Sequence, residues 1–188
     1  MTWTLPNILT VLRLVAAPGV ALAFALLPRP AADWVALTLF VGASVTDWLD
    51  GKLARAWNQT SRFGTMLDPI ADKAMVLTAL AVVMGLSAMA PAVLIPSAAI
   101  FLRETFVSGL REFLGKDAGR LAVTKLAKWK TTAQMVALAV LLLAGALRWP
   151  VLDHAGLLLL WLAAGLTVLT GWDYLSKAMP YLKEDHSR

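Results

Sequence analysis

The longest uncharged stretch of the chain, from Ala74 to Leu102, constrains its fold more than any other feature. It runs for 29 residues without an acidic or basic side chain, whereas about 20 residues are enough for a helix to cross a bilayer. Gly85, Pro91 and Pro96 interrupt the stretch, so we expect two helices joined by a tight turn. Continuous helices are favoured because hydrocarbon offers no partner for an unpaired backbone group.

Further apolar segments lie on both sides of this predicted hairpin: Ile8–Leu27, Trp34–Thr46, Thr131–Leu147 and Ala155–Trp172. Together they predict an all-α integral membrane protein with six transmembrane helices, forming a single domain over residues 1–188. Only 15% of the residues are charged, against roughly 25% in soluble domains. The chain contains no cysteine, which excludes disulfides, thiolate metal sites and cysteine nucleophiles.

The basic residues are distributed unequally between the two ends of the predicted bundle. Of 17 Lys and Arg, 13 fall on the side that carries both termini, and the opposite side holds Arg29 and Arg148. The positive-inside rule therefore predicts cytoplasmic termini and cytoplasmic polar loops. We therefore attribute the formal charge of +5 to basic residues that set the membrane orientation and contact anionic membrane phospholipid. We expect no nucleic-acid partner. Residues 1–5 lack the basic segment of a signal peptide, so the first span is expected to remain.

Four aspartates lie at the cytoplasmic ends of the second and third predicted spans. Asp47 and Asp50 are three positions apart, and Asp68 and Asp72 are four apart, so each pair shares one helix face. The short segment between the two spans makes them antiparallel neighbours, and we expect all four carboxylates to converge. Two unit charges 4 Å apart interact by about 4 kcal/mol at an effective dielectric near 20, so such a cluster needs cations.

Carboxylate oxygens in such a cluster favour hard divalent ions such as Mg²⁺, Mn²⁺ or Ca²⁺. The alternative is that each aspartate is a solvated helix-end charge or a member of a local ion pair. For any one aspartate that alternative would be favoured. The joint spacing of four favours a metal site.

The residues around these aspartates form one pattern: Asp47-x2-Asp50-Gly51-x2-Ala54-Arg55-x8-Gly64-x3-Asp68-x3-Asp72. This pattern resembles the full signature of the CDP-alcohol phosphotransferase family. Three further segments resemble the bacterial branch that forms phosphatidylglycerophosphate: Asn7–Arg13, Arg103–Glu112 and Lys128–Gln134. The resemblance thus extends over most of the chain.

The resemblance implies transfer of the phosphatidyl group from CDP-diacylglycerol to an alcohol, with release of CMP. It implies two divalent cations, Mg²⁺ or Mn²⁺, a homodimer, and an active site on the cytoplasmic side of a bacterial inner membrane. The implied metal ligands are Asp47, Asp50, Asp68 and Asp72, of which Asp72 is also the general base. The residues implied around the donor nucleotide are Gly51, Ala54, Arg55 and Gly64.

The first span adds Asn7, Thr10 and Arg13 to this predicted site. We place Asn7 and Thr10 with the residues that bind CDP-diacylglycerol, and Arg13 beside them. A helix cap or an interhelical hydrogen bond explains Asn7 and Thr10 nearly as well.

The acceptor alcohol has to be inferred from outside the signature. Arg103 and Arg111 are eight positions apart on the fourth span, and Lys128 and Lys130 begin the fifth. Such a cluster suits the phosphate of an anionic acceptor, and glycerol 3-phosphate is one. The alternatives are that these cations set topology, bind anionic lipid or pair with Glu104 or Glu112. Topology or lipid binding is preferred for three loop cations, Lys116, Arg120 and Lys125.

Two other functions fit parts of the sequence. Within the same reaction class the acceptor could be inositol phosphate, serine or phosphatidylglycerol. From another class, a cation-coupled transporter could use the acidic cluster as its ion site. The transporter ranks far lower because the acids lie at helix ends on one side and no duplicated half with broken helices is present.

Overall fold

A computed structural model of the chain describes residues 4–56, 61–115 and 125–183, and side chains within these ranges except at 48–56, 125–128 and 183. The described residues form six α-helices, so the all-α prediction is confirmed. They are α1 (Leu5–Leu26), α2 (Ala31–Ala56), α3 (Arg62–Leu86), α4 (Pro91–Leu114), α5 (Lys125–Leu147) and α6 (Pro150–Lys183).

Five of these helices, all except α2, are long and apolar enough to cross a membrane over their described residues. Side chains of α2 are described only as far as Asp47, so a sixth span stays a prediction. The outer surface is apolar: the exposed side chains include Leu26, Leu102 and Phe113, each more than 70% exposed. Apolar surface of this extent, on helices long enough to cross a bilayer, is typical of a lipid-facing surface, and the chain is a multi-pass membrane protein.

The predicted hairpin within the longest uncharged stretch is confirmed. α3 ends at Leu86, a turn follows, and α4 begins at Pro91, where proline's missing N–H costs nothing because the first helical turn has no carbonyl partner for it. Other helices extend beyond their predicted spans: α2 continues to residue 56 and α6 to residue 183. Apolarity marks only the part of a helix inside hydrocarbon, so the sequence pattern missed these extensions.

The position of α1 corrects one expectation. Over the described residues α1 packs against both α2 and α3, whereas α2 and α3 make few contacts with each other, so α1 separates the two expected neighbours along much of their length. Small side chains permit the close packing of α1, since Ala17, Val20 and Ala23 are buried. The polar residues near the start of α1 therefore enter between the aspartates of α2 and α3.

A closed ion pair lies at the end of the bundle remote from those aspartates. Nε and Nη2 of Arg29 donate to the two carboxylate oxygens of Asp33, each at 2.8 Å, and these hydrogen bonds raise the pKa of the guanidinium. The Asp33 side chain is only 1% exposed. A Cβ added at Gly145 of α5 would overlap this carboxylate, so the glycine lets α5 pack directly on the pair.

Candidate active site

A buried arginine of α1 joins the aspartates of α2 and α3. Nη1 of Arg13 donates to Oδ1 of Asp47 at 2.5 Å and to Oδ1 of Asp72 at 2.8 Å. The Arg13 side chain is 1% exposed, while Asp47 and Asp72 are 34% and 36% exposed. The expected convergence of these two carboxylates is confirmed. Each keeps about a third of its surface open while the arginine anchors it from within the bundle.

Asp68 is held beside this pair by the same face of α1. The hydroxyl of Thr10, three positions before Arg13, donates to Oδ1 of Asp68 at 2.7 Å. Both Asp47 and Asp68 lie close enough for their charges to act on Asp72. The interhelical hydrogen bond that was an alternative explanation of Thr10 is therefore present.

Asn7 occupies the next turn of α1 and contacts the beginning of α3. Oγ of Ser61 donates to Oδ1 of Asn7 at 2.8 Å and accepts from the backbone N–H of Gly64 at 2.9 Å. A Cβ added at Gly64 would lie 2.7 Å from Oδ1 of Asn7. The signature glycine therefore permits close packing of α1 on α3, a reason the sequence pattern alone did not supply.

The donor atoms around Arg13 suit a hard divalent cation. Carboxylates from two separate helices already converge on one cationic nitrogen, and the surrounding donors are oxygen atoms, the ligand type that Mg²⁺ and Mn²⁺ prefer. Within the described side chains, no three Asp, Glu or His groups are close enough to hold a metal ion. The side chain of Asp50 lies outside the described residues. The donor type therefore fits such an ion, and the described groups alone do not form its site.

Several predicted site residues fall where side chains are not described. The backbone of α2 is helical through residues 51–56, and that of α5 is helical at residue 128. The side chains outside the described residues are those of Asp50, Gly51, Ala54, Arg55 and Lys128.

A second charged cluster lies between α4, α5 and α6. Oε1 of Glu104 accepts from Nη1 of Arg103 at 3.2 Å and also from Nζ of Lys130. The side chains of all three are at most 13% exposed. The stem of Arg103 crosses α6 at Gly171, where an added Cβ would lie 2.8 Å from its Cγ. The alternative that Glu104 partners Arg103 is confirmed, and the same carboxylate also holds Lys130.

Arg111, the next cation on α4, contacts an aromatic ring. Its guanidinium carbon lies 5.2 Å from the centroid of the Tyr174 ring, within the range of a cation–π interaction. The ring is buried against Val107 and Leu114 of α4. Tyr174 thus fixes the orientation of an otherwise exposed arginine.

A short chain of hydrogen bonds connects the two charged clusters. Nζ of Lys73, the residue after Asp72, donates to Oγ of Ser108 on α4. Ser108 in turn donates to the backbone carbonyl of Glu104 at 2.5 Å. The aspartates and the basic cluster therefore lie at the same end of the bundle, on adjacent helices.

The two clusters carry surplus charge of opposite sign. Around Arg13 the described carboxylates outnumber the guanidinium, whereas one carboxylate, Glu104, serves both Arg103 and Lys130. Charge at membrane depth without a full set of partners is costly and indicates a candidate ligand site. The arrangement can hold a cation at one cluster and an anion at the other.

Sequence reasoning missed several residues of the second cluster, above all Tyr174, Gly171 and Thr170. They follow Thr167 at helical spacing on α6, and Thr170 accepts a long contact of 3.5 Å from Nη2 of Arg103. Polar or small residues recurring every three to four positions in an apolar helix are a signal that could have found this face.

Comparison with known proteins identifies the family of the chain. A family model described as CDP-alcohol phosphatidyltransferase matches residues 3–169. The chain therefore belongs to the CDP-alcohol phosphatidyltransferase family.

The chain is also similar over nearly its whole length to several bacterial proteins named CDP-diacylglycerol–glycerol-3-phosphate 3-phosphatidyltransferase. The protein from Cereibacter sphaeroides is 52% identical, with 98% of this chain and all of the relative covered. Those from Haemophilus influenzae and Escherichia coli K12 are 39% and 41% identical, each covering 95% of this chain and at least 95% of the relative.

Proposed function

We propose that this membrane protein transfers the phosphatidyl group of CDP-diacylglycerol to glycerol 3-phosphate. The products are phosphatidylglycerophosphate and CMP. The observation that carries the proposal is the pair of adjacent clusters with opposite surplus charge, linked through Lys73 and Ser108. The printed names of the relatives, which describe this reaction, support it.

The chemical step needs a base, an aligned acceptor and a stabilised leaving group. In our proposal Asp72 takes the proton of the acceptor hydroxyl, whose oxygen then bonds to the phosphatidyl phosphorus. The bond between that phosphorus and the oxygen bridging to CMP breaks, and CMP leaves. Arg13 contacts Asp72 at 2.8 Å and thereby fixes the carboxylate in position for the transfer.

Two divalent cations, Mg²⁺ or Mn²⁺, would be held by four aspartates: Asp47, Asp50, Asp68 and Asp72. When bound, such ions neutralise the pyrophosphate and the departing phosphate. Arg13 and Thr10 orient three of these carboxylates from within the bundle, which supports the assignment.

The proposed donor site uses residues of the first half of the chain: Asn7, Thr10, Gly51, Ala54, Arg55 and Gly64. Arg55 would offer its planar guanidinium to a phosphate of the nucleotide. Gly64 permits the approach of Asn7, so we propose that these two residues shape the site jointly. The acyl chains would remain in the bilayer beside the helices.

The proposed acceptor site uses basic residues of the second half: Arg103, Arg111, Lys128 and Lys130. Their surplus positive charge supports an anionic acceptor over serine, which carries no phosphate. Inositol phosphate is also anionic, and phosphatidylglycerol carries a phosphodiester, so both remain acceptors to be tested.

We further propose six transmembrane helices, a bacterial inner-membrane location, and termini and active site facing the cytoplasm. The asymmetric distribution of Lys and Arg supports the orientation, and the bacterial relatives support the location. From the family resemblance we propose a homodimer. The chain would act as one domain throughout.

The test is release of CMP by the purified protein in detergent. CDP-diacylglycerol is supplied with Mg²⁺ and, in separate reactions, with glycerol 3-phosphate, inositol phosphate, serine or phosphatidylglycerol. We expect CMP release with glycerol 3-phosphate and formation of phosphatidylglycerophosphate. Greater release with another acceptor, or none with glycerol 3-phosphate, would reject this assignment.

A further inference from the structure

A cavity lies at the end of the bundle remote from the proposed active site. Its volume is about 250 Å³, and its apolar walls come from four helices, α3, α4, α5 and α6. These walls are formed by six side chains: Val83, Leu86, Val93, Leu141, Leu142 and Leu157. Among the described residues, no Phe, Tyr or Trp side chain lines it. The cavity therefore offers aliphatic surface to a ligand with an aliphatic part.

Charged side chains lie at one side of this cavity. Arg29, Gly145 and Asp153 line it and also line an adjoining polar recess, to which Arg148 contributes. Arg29 is already neutralised by its bidentate pair with Asp33. One basic and one acidic side chain, Arg148 and Asp153, are left to recognise a ligand.

Arg148 has a backbone conformation that residues other than glycine rarely adopt. It follows the last residue of α5 with a φ of 53°, the left-handed conformation in which helices commonly end on glycine. Its side chain is exposed, and its one hydrogen bond within the described part of the chain is a long contact of 3.4 Å, from Nη2 to the carbonyl oxygen of Arg29. Strained backbone of this kind is concentrated at functional sites. Most N–H donors of Arg148 are thus available to a ligand.

Asp153 supplies the opposite charge. It lies exposed in the first turn of α6, and its charge acts on Arg29. None of the ion pairs between described side chains includes Asp153. A ligand that complements both residues therefore carries an anionic and a cationic group.

Two tryptophans indicate the depth of these charges in the bilayer. Trp34 and Trp149 are each adjacent in sequence to one of the charged residues, and they are 45% and 54% exposed. Exposed indoles are enriched at the level of the lipid headgroups. The aliphatic walls continue to Leu142 and Leu157, five and seven residues from the nearer helix ends, and so reach the acyl chains. The order of charged and aliphatic groups matches that along a phospholipid.

We propose that this cavity binds phosphatidylethanolamine from the leaflet opposite the active site. Arg148 donates to the phosphate and Asp153 accepts from the primary ammonium, while part of an acyl chain occupies the aliphatic cavity. A quaternary ammonium has no N–H to donate and is recognised by aromatic side chains, which the described walls lack. An anionic lipid would leave the carboxylate of Asp153 without a cationic partner.

The test is a thermal shift of the purified, delipidated protein in detergent, without substrates. Phosphatidylethanolamine, phosphatidylcholine and phosphatidylglycerol with the same short acyl chains are titrated separately. We expect phosphatidylethanolamine to raise the Tm at about a tenfold lower mole fraction than the other two, since a hydrogen bond between charged groups is typically worth that factor. Glycerophosphoethanolamine, which has the headgroup and no acyl chain, should give no shift.

Two variants separate the contributions of the charges. Asp153→Asn is expected to abolish the preference, so that the three lipids act at similar mole fractions. Arg148→Gly removes the guanidinium and relieves the backbone strain. Its lipid-free Tm should equal or exceed that of the wild type, whereas about tenfold more phosphatidylethanolamine should be needed for the same shift.

Asp173→Asn is the matched control. It removes an exposed carboxylate of the same helix near the opposite end and should leave the lipid preference unchanged. Because binding is measured without substrates, failure of the proposed function would not affect this test.

Four results would each overturn the proposed lipid site. A wild type that responds equally to the three lipids, or to none of them, has no headgroup preference. A shift with glycerophosphoethanolamine alone means that the cavity does not hold an acyl chain. If Asp153→Asn keeps the preference, Asp153 serves only the dipole of α6. If Arg148→Gly unfolds or has a lower lipid-free Tm, Arg148 serves packing.

Discussion

Arg13 and Arg29 both pair with aspartates in this bundle, but they do so in opposite ways. Arg29 gives two nitrogens to one carboxylate, that of Asp33, and the pair neutralises itself. Arg13 divides one nitrogen between Asp47 and Asp72 on different helices. A self-neutralised pair needs no further charge, whereas a divided cation leaves negative charge for a ligand to compensate.

The cluster around Glu104 has the opposite charge imbalance to the cluster around Arg13. One carboxylate oxygen accepts from both Arg103 and Lys130, so positive charge is left over. The two unequal clusters lie at one end of the bundle and the equal pair lies at the other. Asp33 and Asp47 are fourteen positions apart on α2, roughly 21 Å of helix. Charge stoichiometry therefore distinguishes the proposed reactive end from the structural end.

Removing divalent cations gives the largest expected effect. Without a compensating ion, the aspartates around Arg13 repel one another and the pyrophosphate of the donor. We expect excess chelator to reduce CMP release to background and added Mg²⁺ or Mn²⁺ to restore it. Full activity in excess chelator would reject the proposed divalent cations.

Asp72→Asn tests whether catalysis depends on the aspartates that share Arg13 and not on the Arg29–Asp33 pair. The amide cannot accept a proton, and general-base catalysis typically contributes about 10²–10⁴-fold, so kcat should fall by that factor while the protein remains folded. The matched variant Asp33→Asn changes the same group at the far end and should retain most of the turnover. Transfer by Asp72→Asn above roughly a tenth of wild type would exclude Asp72 as the base.

Arg111→Gln tests the surplus positive charge. Loss of a hydrogen bond to a charged group costs about 1.5–3 kcal/mol, so the KM for glycerol 3-phosphate should rise roughly ten- to a hundredfold. The KM for CDP-diacylglycerol should change little. Arg55→Gln should instead raise the KM for CDP-diacylglycerol and leave the KM for glycerol 3-phosphate almost unchanged.

Lys116→Gln, in the segment between α4 and α5, is the control for this experiment and should alter neither constant. If Arg111→Gln raises both constants equally, the basic cluster serves packing or lipid binding. An anionic acceptor would then lose its physical support.

Asp33→Asn gives the smallest expected effect, on stability alone. The amide can replace only part of the bidentate interaction, and Arg29 is 45% exposed, so water compensates for much of the loss. We expect a decrease of about 1–2 kcal/mol in the free energy of unfolding, measured by thermal denaturation in detergent. A tenfold change in either KM would contradict the division into reactive and structural ends.

The helical class and the hairpin were predictable because apolar length and helix-breaking residues report directly on a bilayer. The packing order was not predictable. In a soluble protein the apolar stripe of a helix identifies its buried face, but lipid is as apolar as the bundle interior. Nothing in the apolar pattern of residues 8–27 therefore indicated that α1 lies between α2 and α3.

The site residues also differed in how far the sequence could predict them. Charged groups such as Arg13 and Glu104 stand out in an apolar sequence, and their contacts follow from the need for partners. Tyr174 does not stand out, because a tyrosine near the end of a span is usually an interfacial anchor. Only the three-dimensional position of Arg111 identifies the Tyr174 ring as a cation–π partner.

The α3–α4 hairpin has a consequence for how acceptor preference can diverge. Asp72 lies fourteen residues before the end of α3, and Glu104 lies thirteen after the start of α4. The two charged clusters are therefore at nearly the same distance, along their helices, from the turn that joins α3 and α4. The proposed donor groups belong to α1, α2 and α3, and the proposed acceptor groups to α4 and α5. Substitutions in the second half can therefore change the alcohol that is used while the first half keeps the same donor chemistry.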